Sequence, residues 1–300
     1  MKHLLKLLDL GSEEIIGILD LADQLKYERK NHIPHPHLAG KSIGLIFQKS
    51  STRTRVSFET GIYQLGGQPL FLSSKDLQIG RGEPVQDTAR VLSRYLDGIM
   101  IRTFEQTEVE DLAKYGSIPI INGLTDFCHP CQVLADLMTI REHYAKLEGL
   151  KLAYIGDGNN MTNSLIVGCL KTGMKISVAC PEGYRPDPVV LDFAKGNPGF
   201  ELTDDPKQAV RDADVVYTDT WASMGQEAEK EARIKAFAGY QVNAELMQLA
   251  KESAMVQHCL PAYRGQEITD EVFEAHADEL FEEAENRLHA QKAVMVTLMK

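Results

Sequence analysis

Apolar residues recur along this chain with two spacings, and their alternation predicts the fold class. Ile15, Ile18, Leu19, Ala22 and Leu25 return at helical intervals behind a Ser12 cap and the acidic Glu13 and Glu14. Ser42–Phe47 is instead a continuous apolar run, short enough for a buried strand. Val56, Phe58, Ile62 and Leu65 then predict a helix that ends at Gly66-Gly67. Strands follow at 99–101 and 118–121, with helices near 87–96 and 109–115. The rhythm restarts after Gly149: strand 150–155, helix 164–170, and strands at 176–179, 215–217 and 255–256 with helices between them. Strands buried on both faces and alternating with helices predict parallel sheets. Because the pattern runs through twice, the expected fold is α/β, two doubly wound parallel-sheet domains joined by interdomain helices. The first would span 1–147 and the second 148–278, joined through the helix that starts near Gln132, with a last helix within 279–300 returning to the first domain.

Composition leaves that picture standing and narrows the partners. The chain has 300 residues, 43% hydrophobic and 25% charged, which is ordinary for a globular protein. Its formal net charge of -11 disfavours nucleic acid or an anionic membrane as a general partner, since both require a basic face. Cys128, Cys131, Cys169, Cys180 and Cys259 are odd in number and irregular in spacing, which suits free thiols in a reducing compartment. The pair Cys128 and Cys131 has zinc-ligand spacing, but no second pair completes such a site. The N-terminus meets Asp9, Glu13 and Glu14 early and lacks the apolar core of a signal peptide. A cytoplasmic location is expected.

The chemistry-bearing clusters fall at one kind of place, the carboxyl ends of predicted strands, where open parallel sheets bind ligands. Ser50-Ser51-Thr52-Arg53-Thr54-Arg55 lies between a strand and a helix start. A helix N-terminus offers unpaired N–H groups and partial positive charge, and this loop adds hydroxyls and two guanidinium forks. Capping hydroxyls with solvated arginines would explain Ser-Thr alone; the full run points to a phosphate group. Arg102 ends the next strand and could serve a ligand or pair with Glu105. His129-Pro130-Cys131-Gln132 opens a helix, where His129 and Gln132 could polarise one carbonyl. Gly156-Asp157-Gly158-Asn159-Asn160 begins like a dinucleotide turn but lacks the third glycine, so a tight turn with Asn160 facing a ligand fits as well. Asp219 could bind an amine or cap the segment after it, and Cys259 in His258-Cys259-Leu260-Pro261 could be packing alone.

Together with Met100-Ile101-Arg102-Thr103 and Asp219…Ser223-Met224-Gly225, these motifs closely resemble those of the ornithine carbamoyltransferases along the whole chain. The Ser50–Arg55 and His129–Gln132 motifs are shared with aspartate carbamoyltransferases, whereas Asp219…Gly225 and His258–Pro261 resemble the ornithine branch. The resemblance implies that Ser51, Thr52, Arg53 and Thr54 hold the phosphate of carbamoyl phosphate. It implies that Arg102, His129 and Gln132 hold the carbamoyl oxygen and amide. Gln78 would reach into a neighbouring subunit's site, which implies a homotrimer or a multiple of trimers with shared sites. Asn160, Asp219, Ser223 and Met224 would form the ornithine site, and Cys259, Leu260 and Arg287 would complete the carbamoyl phosphate pocket. Arg102, His129 and Cys259 are the expected catalytic residues, with no metal and no organic cofactor. The expected products are L-citrulline and phosphate, in arginine metabolism. Rival readings are a carbamoyltransferase for putrescine or an N-acylated ornithine, a nucleotide-dependent oxidoreductase resting on Gly156 and Gly158, and a catalytically silent binding paralogue.

Overall fold

A computed structural model describes residues 1–74, 82–222 and 229–300. The chain divides into two compact units, Met1–Met138 with Asn286–Lys300, and Thr139–Glu285.

In the first unit, helix α1 (Ser12–Lys30) leads to β1 (Ser42–Phe47), α2 (Thr52–Gln64) and β2 (Gln68–Ser73). There follow α3 (Val85–Leu92), β3 (Gly98–Arg102), α4 (Gln106–Tyr115), β4 (Ile120–Leu124) and α5 (Pro130–Tyr144), inside which the division falls. The strands form one parallel sheet in the order β2-β1-β3-β4. Ile46, Ile99, Ile101 and Ile120 from the sheet pack with Ala89, Val109 and Leu112 from α3 and α4. The free edge of β4 is covered by the N-terminal segment: Leu4 donates its N–H to Ile120 O (2.9 Å) and accepts from Asn122 N (2.7 Å). Helix α1 is capped one residue earlier than the sequence suggested. Gly11 stands at the cap and donates its N–H to Glu14 Oε2 at 2.9 Å, the half of a capping box that needs no side chain on the cap residue.

The second unit runs β5 (Lys151–Ile155), α6 (Asn160–Lys171), β6 (Lys175–Ala179), α7 (Pro188–Ala194), β7 (Phe200–Thr203), α8 (Pro206–Val210) and β8 (Val215–Thr218). It continues with α9 (Lys230–Ala236), α10 (Ala244–Met247), β9 (Met255–Gln257) and α11 (Asp270–Ala275). Helix α12 (Ala277–Met299) begins here and ends in the first unit. These strands are also parallel, in the order β7-β6-β5-β8-β9. Ala153, Ile155, Val216 and Val256 line its core beneath an aromatic group in which Trp221 stacks on Phe237 at 5.8 Å.

Strand order fixes where each sheet opens to a ligand. In the first unit the chain moves from β1 outward to β2, then crosses to β3 on the other side. In the second it moves from β5 to β6 and β7, then crosses to β8 and β9. Each crossing leaves a crevice beyond the carboxyl ends of the two strands that part. Those ends are β1 with β3 in one unit, and β5 with β8 in the other.

Candidate active site

The first crevice is lined by the loop after β1 and by the end of β3. Ser51 is the N-cap of α2: its extended backbone (φ -162) turns the side chain back to accept from Thr54 N at 3.2 Å. The remaining N–H groups of that first turn have no intrahelical partner by helix geometry, and they carry the positive end of the helix dipole. Thr54 itself is fully buried. Its hydroxyl oxygen accepts from Arg287 Nη2 at 3.1 Å and, at longer range, from Arg102 Nη1 at 3.4 Å. A threonine hydroxyl has two lone pairs and one proton. With guanidinium groups on both lone pairs, the proton is what Thr54 has to offer a ligand. Arg102 is buried against Thr54, not spread on the surface beside Glu105.

Arg287, from α12, also donates Nη1 to Gln132 Oε1 at 2.9 Å, and Gln132 Nε2 donates to Asp136 Oδ1 at 2.8 Å. His129 is buried one turn before Gln132. Burial, reinforced by the charges of Arg287 and Arg102, holds its imidazole well below the usual histidine range, so it is neutral at physiological pH. Supporting contacts fix the strand ends behind these groups. Lys49 pairs with Asp126 and lies 4.3 Å over the Phe104 ring, linking the loops after β1, β3 and β4. Burial pushes the Cys128 and Cys131 thiols up to about 12, so both are protonated; Cys128 Sγ lies 3.5 Å from Leu5 O and Cys131 Sγ 3.4 Å from Asn122 O.

The second crevice is built around Asp219. Its Oδ2 accepts from Asn159 Nδ2 at 2.8 Å; its Oδ1 accepts from Thr220 N at 2.7 Å and from the Cys259 thiol at 3.1 Å. Asn159 caps α6, accepting from Met161 N and Thr162 N, so the carboxylate is tied to a helix start. Asn160 is the first residue of α6 beside it. Asp157 pairs with Arg233 at 2.7 Å, and Arg233 also donates to Trp221 O at 3.1 Å, bracing the segment that follows Asp219. Burial pushes the Asp157 carboxyl up to about 6 against the pull of that guanidinium.

The turn after β9 is held by a relay. Glu267 Oε1 lies 3.1 Å from His258 Nε2, and Leu260 N donates to His258 Nδ1 at 2.9 Å. The carboxylate demands the proton on Nε2, and the backbone donor demands the lone pair on Nδ1; the tautomer is therefore set. Leu260 adopts a positive φ (54) before a cis bond to Pro261, a conformation that His258 helps to hold. Asp219, His258 and Cys259 place one ligand atom each within 4.8 Å of one another. Both imidazole nitrogens already serve Glu267 and Leu260, so the group acts as a hydrogen-bonded support and not as a three-ligand metal set.

The Gly156–Gly158 turn also has a structural reading. A Cβ on Gly158 would lie 2.3 Å from the backbone of Arg185 and Pro186, and Gly158 N donates to Tyr184 O at 2.8 Å. In a dinucleotide fold the second glycine lets the backbone approach a pyrophosphate. Here the chain itself takes that space.

Of the residues singled out in the sequence, Thr54, Arg102, Gln132 and Arg287 are directly linked in the first unit, with Ser51, Thr52 and Arg53 on the same helix start and His129 beside Arg102 and Arg287. Asp219 and Cys259 are bonded in the second unit, where Asn160 and Leu260 also lie. Gln78, Ser223 and Met224 lie outside the described residues. The sequence reading passed over Asp136, Asn159, Glu267 and the Asp157–Arg233 pair. Asp136 alone had a signal, its position four residues after Gln132 on one helix.

Two family models match. One, described as the carbamoyl-P binding domain of aspartate/ornithine carbamoyltransferase, covers residues 2–142; the other, described as its Asp/Orn binding domain, covers residues 148–298. Among curated relatives, the chain is 59% identical over 301 residues to an ornithine carbamoyltransferase of Caldicellulosiruptor saccharolyticus, covering 99% of this chain and 98% of the relative. Among solved structures it is similar to the ornithine carbamoyltransferase of Pyrococcus furiosus, with TM-score 0.95 and 52% identity over 99% of this chain and 97% of that one. It is also similar to the anabolic ornithine carbamoyltransferase of Campylobacter jejuni, with TM-score 0.93 and 44% identity over 99% of both chains.

Proposed function

The chain belongs to the aspartate/ornithine carbamoyltransferase family, and from that premise we propose that it transfers the carbamoyl group of carbamoyl phosphate to the side-chain amine of L-ornithine. The products are L-citrulline and phosphate, a step of arginine metabolism. The observation that carries this reading is the Thr54 hydroxyl, gripped by Arg102 and Arg287 so that its proton is left for a substrate oxygen.

The reaction asks for charge stabilisation and little covalent help. The neutral amine of ornithine attacks the carbamoyl carbon, a C–N bond forms, the bond to the phosphate oxygen breaks, and the amine loses a proton. Negative charge grows on the carbamoyl oxygen and on the departing phosphate. Thr54, Arg102 and the neutral His129 supply donors for the first; Ser51, Thr52, Arg53 and the start of α2 supply them for the second. Thr54 is already hydrogen-bonded to Arg102 and Arg287, and Ser51 to Thr54 N, so these donors need little reorganisation as the charge develops. We assign carbamoyl phosphate to the first unit on this basis.

In the second unit Asp219 offers a carboxylate to the α-ammonium group of ornithine, and Asn160 an amide to its carboxylate. The Cys259 thiol, bonded to Asp219, lies in the same crevice. Putrescine has no carboxylate to use such an amide. A steady-state assay for citrulline with ornithine, lysine and putrescine as acceptors tests the assignment; equal turnover with putrescine would refute it.

Two finer features belong to the same reading. We place the protein in the cytoplasm, supported by its five free cysteines; among the described residues no helix is long and apolar enough to cross a membrane. We also propose assembly as a trimer or a multiple of trimers. Support comes from β2, an edge strand that exposes Leu70 and Phe71, and from Val56 and Tyr63, exposed on the neighbouring α2. Light scattering that gave a monomer at assay concentrations would remove this part.

A further inference from the structure

We infer that Asp136 is a positioning residue that fixes the amide of Gln132 with its oxygen, not its nitrogen, toward the carbamoyl –NH2 group. The inference rests on the proposed reaction, in which Gln132 meets the carbamoyl end of the substrate. A glutamine amide presents an acceptor on one side and a donor on the other, and the two orientations have nearly the same shape. Only hydrogen bonding separates them. Here Arg287 and Asp136 are chemically one-way partners. Arg287 can only donate, and it meets Oε1 at 2.9 Å; the Asp136 carboxylate oxygen accepts, and it meets Nε2 at 2.8 Å. Asp136 and Gln132 sit one turn apart on α5, and both are buried. A carboxylate in such a place is costly unless its bonds are used, and its bond to Nε2 sets which end of Gln132 the substrate meets.

That orientation matters for selecting the acyl group. The carbamoyl –NH2 is a donor and needs an acceptor. Acetyl phosphate carries the same phosphate and the same carbonyl, with a methyl group where carbamoyl phosphate has –NH2. It therefore tests the amide contact apart from every other contact in the pocket.

The experiment measures KM and calorimetric Kd for carbamoyl phosphate, and Ki and Kd for acetyl phosphate, in the unmodified chain and in Asp136→Asn. An asparagine there can accept from Gln132 Nε2 or donate to Gln132 Oε1, so the one-way bond that excludes the flipped amide is lost. Carbamoyl phosphate binding should weaken about tenfold, the scale of one hydrogen bond, while acetyl phosphate changes less than about twofold. A second variant, Asp136→Asn with Gln132→Glu, moves the carboxylate to position 132, where it presents acceptors in every direction. It should restore the preference for carbamoyl phosphate over acetyl phosphate. Equal weakening of both ligands, no weakening of either, or a double variant no more selective than Asp136→Asn would overturn the inference. Citrulline formation by the unmodified chain reports separately on the proposed reaction, whereas the ratio of the two affinities reports on Asp136.

Discussion

Replacing Thr54 by valine removes one hydroxyl and leaves the shape of the side chain intact, so its effects can be assigned. Thr54 Oγ1 accepts from Arg287 at 3.1 Å and Arg102 at 3.4 Å, and all three side chains are buried. Valine leaves both guanidinium donors without this acceptor, at about 1–3 kcal/mol for each buried group. The longer contact is near the weak limit of hydrogen-bond geometry, so the combined loss should fall near the lower half of that range, about 2–4 kcal/mol. At about 2–4 °C per kcal/mol for a chain of this class, the melting temperature should drop by roughly 4–16 °C.

Turnover should fall further than stability alone explains. If the Thr54 proton faces the carbamoyl oxygen, its removal costs an oxyanion donor, about 10²–10³-fold in kcat. Thr54→Ser is the control, since it keeps the hydroxyl and loses only a methyl group. It should retain kcat within about tenfold of the parent, with most of its loss in stability. The assay is steady-state citrulline formation at saturating substrates, below the melting temperature of the weaker variant. A valine variant whose kcat lies within about threefold of the serine variant would refute the reasoning, because that loss is far below an oxyanion contact.

Arg102→Ala should lower turnover by an amount equivalent to ~2.7–4 kcal/mol or more in the same assay; a near-normal rate would remove Arg102 from the reaction. Asp219→Asn should raise the KM for ornithine while calorimetry shows carbamoyl phosphate binding unchanged, and weakening of both would place Asp219 in a general structural role. Lys292 is buried, with Nζ bonded to His35 Nε2 at 2.7 Å and Gln64 Oε1 at 3.1 Å, and burial lowers its pKa from 10.5 to about 8. The unfolded chain therefore holds more protons than the folded one between those two values, so Lys292 adds stability as pH rises through that window. In urea titrations the stability difference between the parent and Lys292→Met should move in favour of the parent from pH 8 to 10.5; a pH-independent difference would contradict the shift.

How much of this was legible depended on whether a feature is local in the chain. The central strands β1, β3, β5 and β8 are buried apolar runs and stand out in the sequence. The edge strands β2 and β7 do not: Gln68-Pro69 opens one, Glu201 interrupts the other, and neither has a fully buried residue. An edge strand left partly exposed tolerates proline and polar residues, so β2 and β7 lack the signal, whereas the edge strands β4 and β9 are buried and were legible. The clusters at Ser51–Thr54, His129–Gln132 and Asp219 were visible because strand ends concentrate polar residues. Their partners were not. Arg102 was ambiguous in sequence because its neighbour Glu105 was near and Thr54 was not; the fold brings Thr54 to it across 48 positions. Asn160 drew attention as a ligand contact, yet it is Asn159 that both caps α6 and holds Asp219. A pair such as His258 and Glu267 becomes meaningful only when one knows that the imidazole's other nitrogen meets Leu260 N.

These partners share a physical logic. Thr54, Gln132 and His258 are each constrained by a group that can bond to them in only one sense. Guanidinium groups occupy the lone pairs of Thr54, Asp136 accepts from Gln132, and Glu267 sets the tautomer of His258. Water could satisfy the same valences, but water reorients as charge develops and these groups do not. Buried ionic groups are expensive, and replacing them with apolar residues often leaves a protein as stable or more so. Their placement at the end of β3, on α5 and α12 and after β9, beside the side chains they hold, is therefore better explained by orientation than by stability. The consequence is specific: variants such as Asp136→Asn should lose discrimination between ligands before they lose the fold, whereas a network kept only for stability would lose both together.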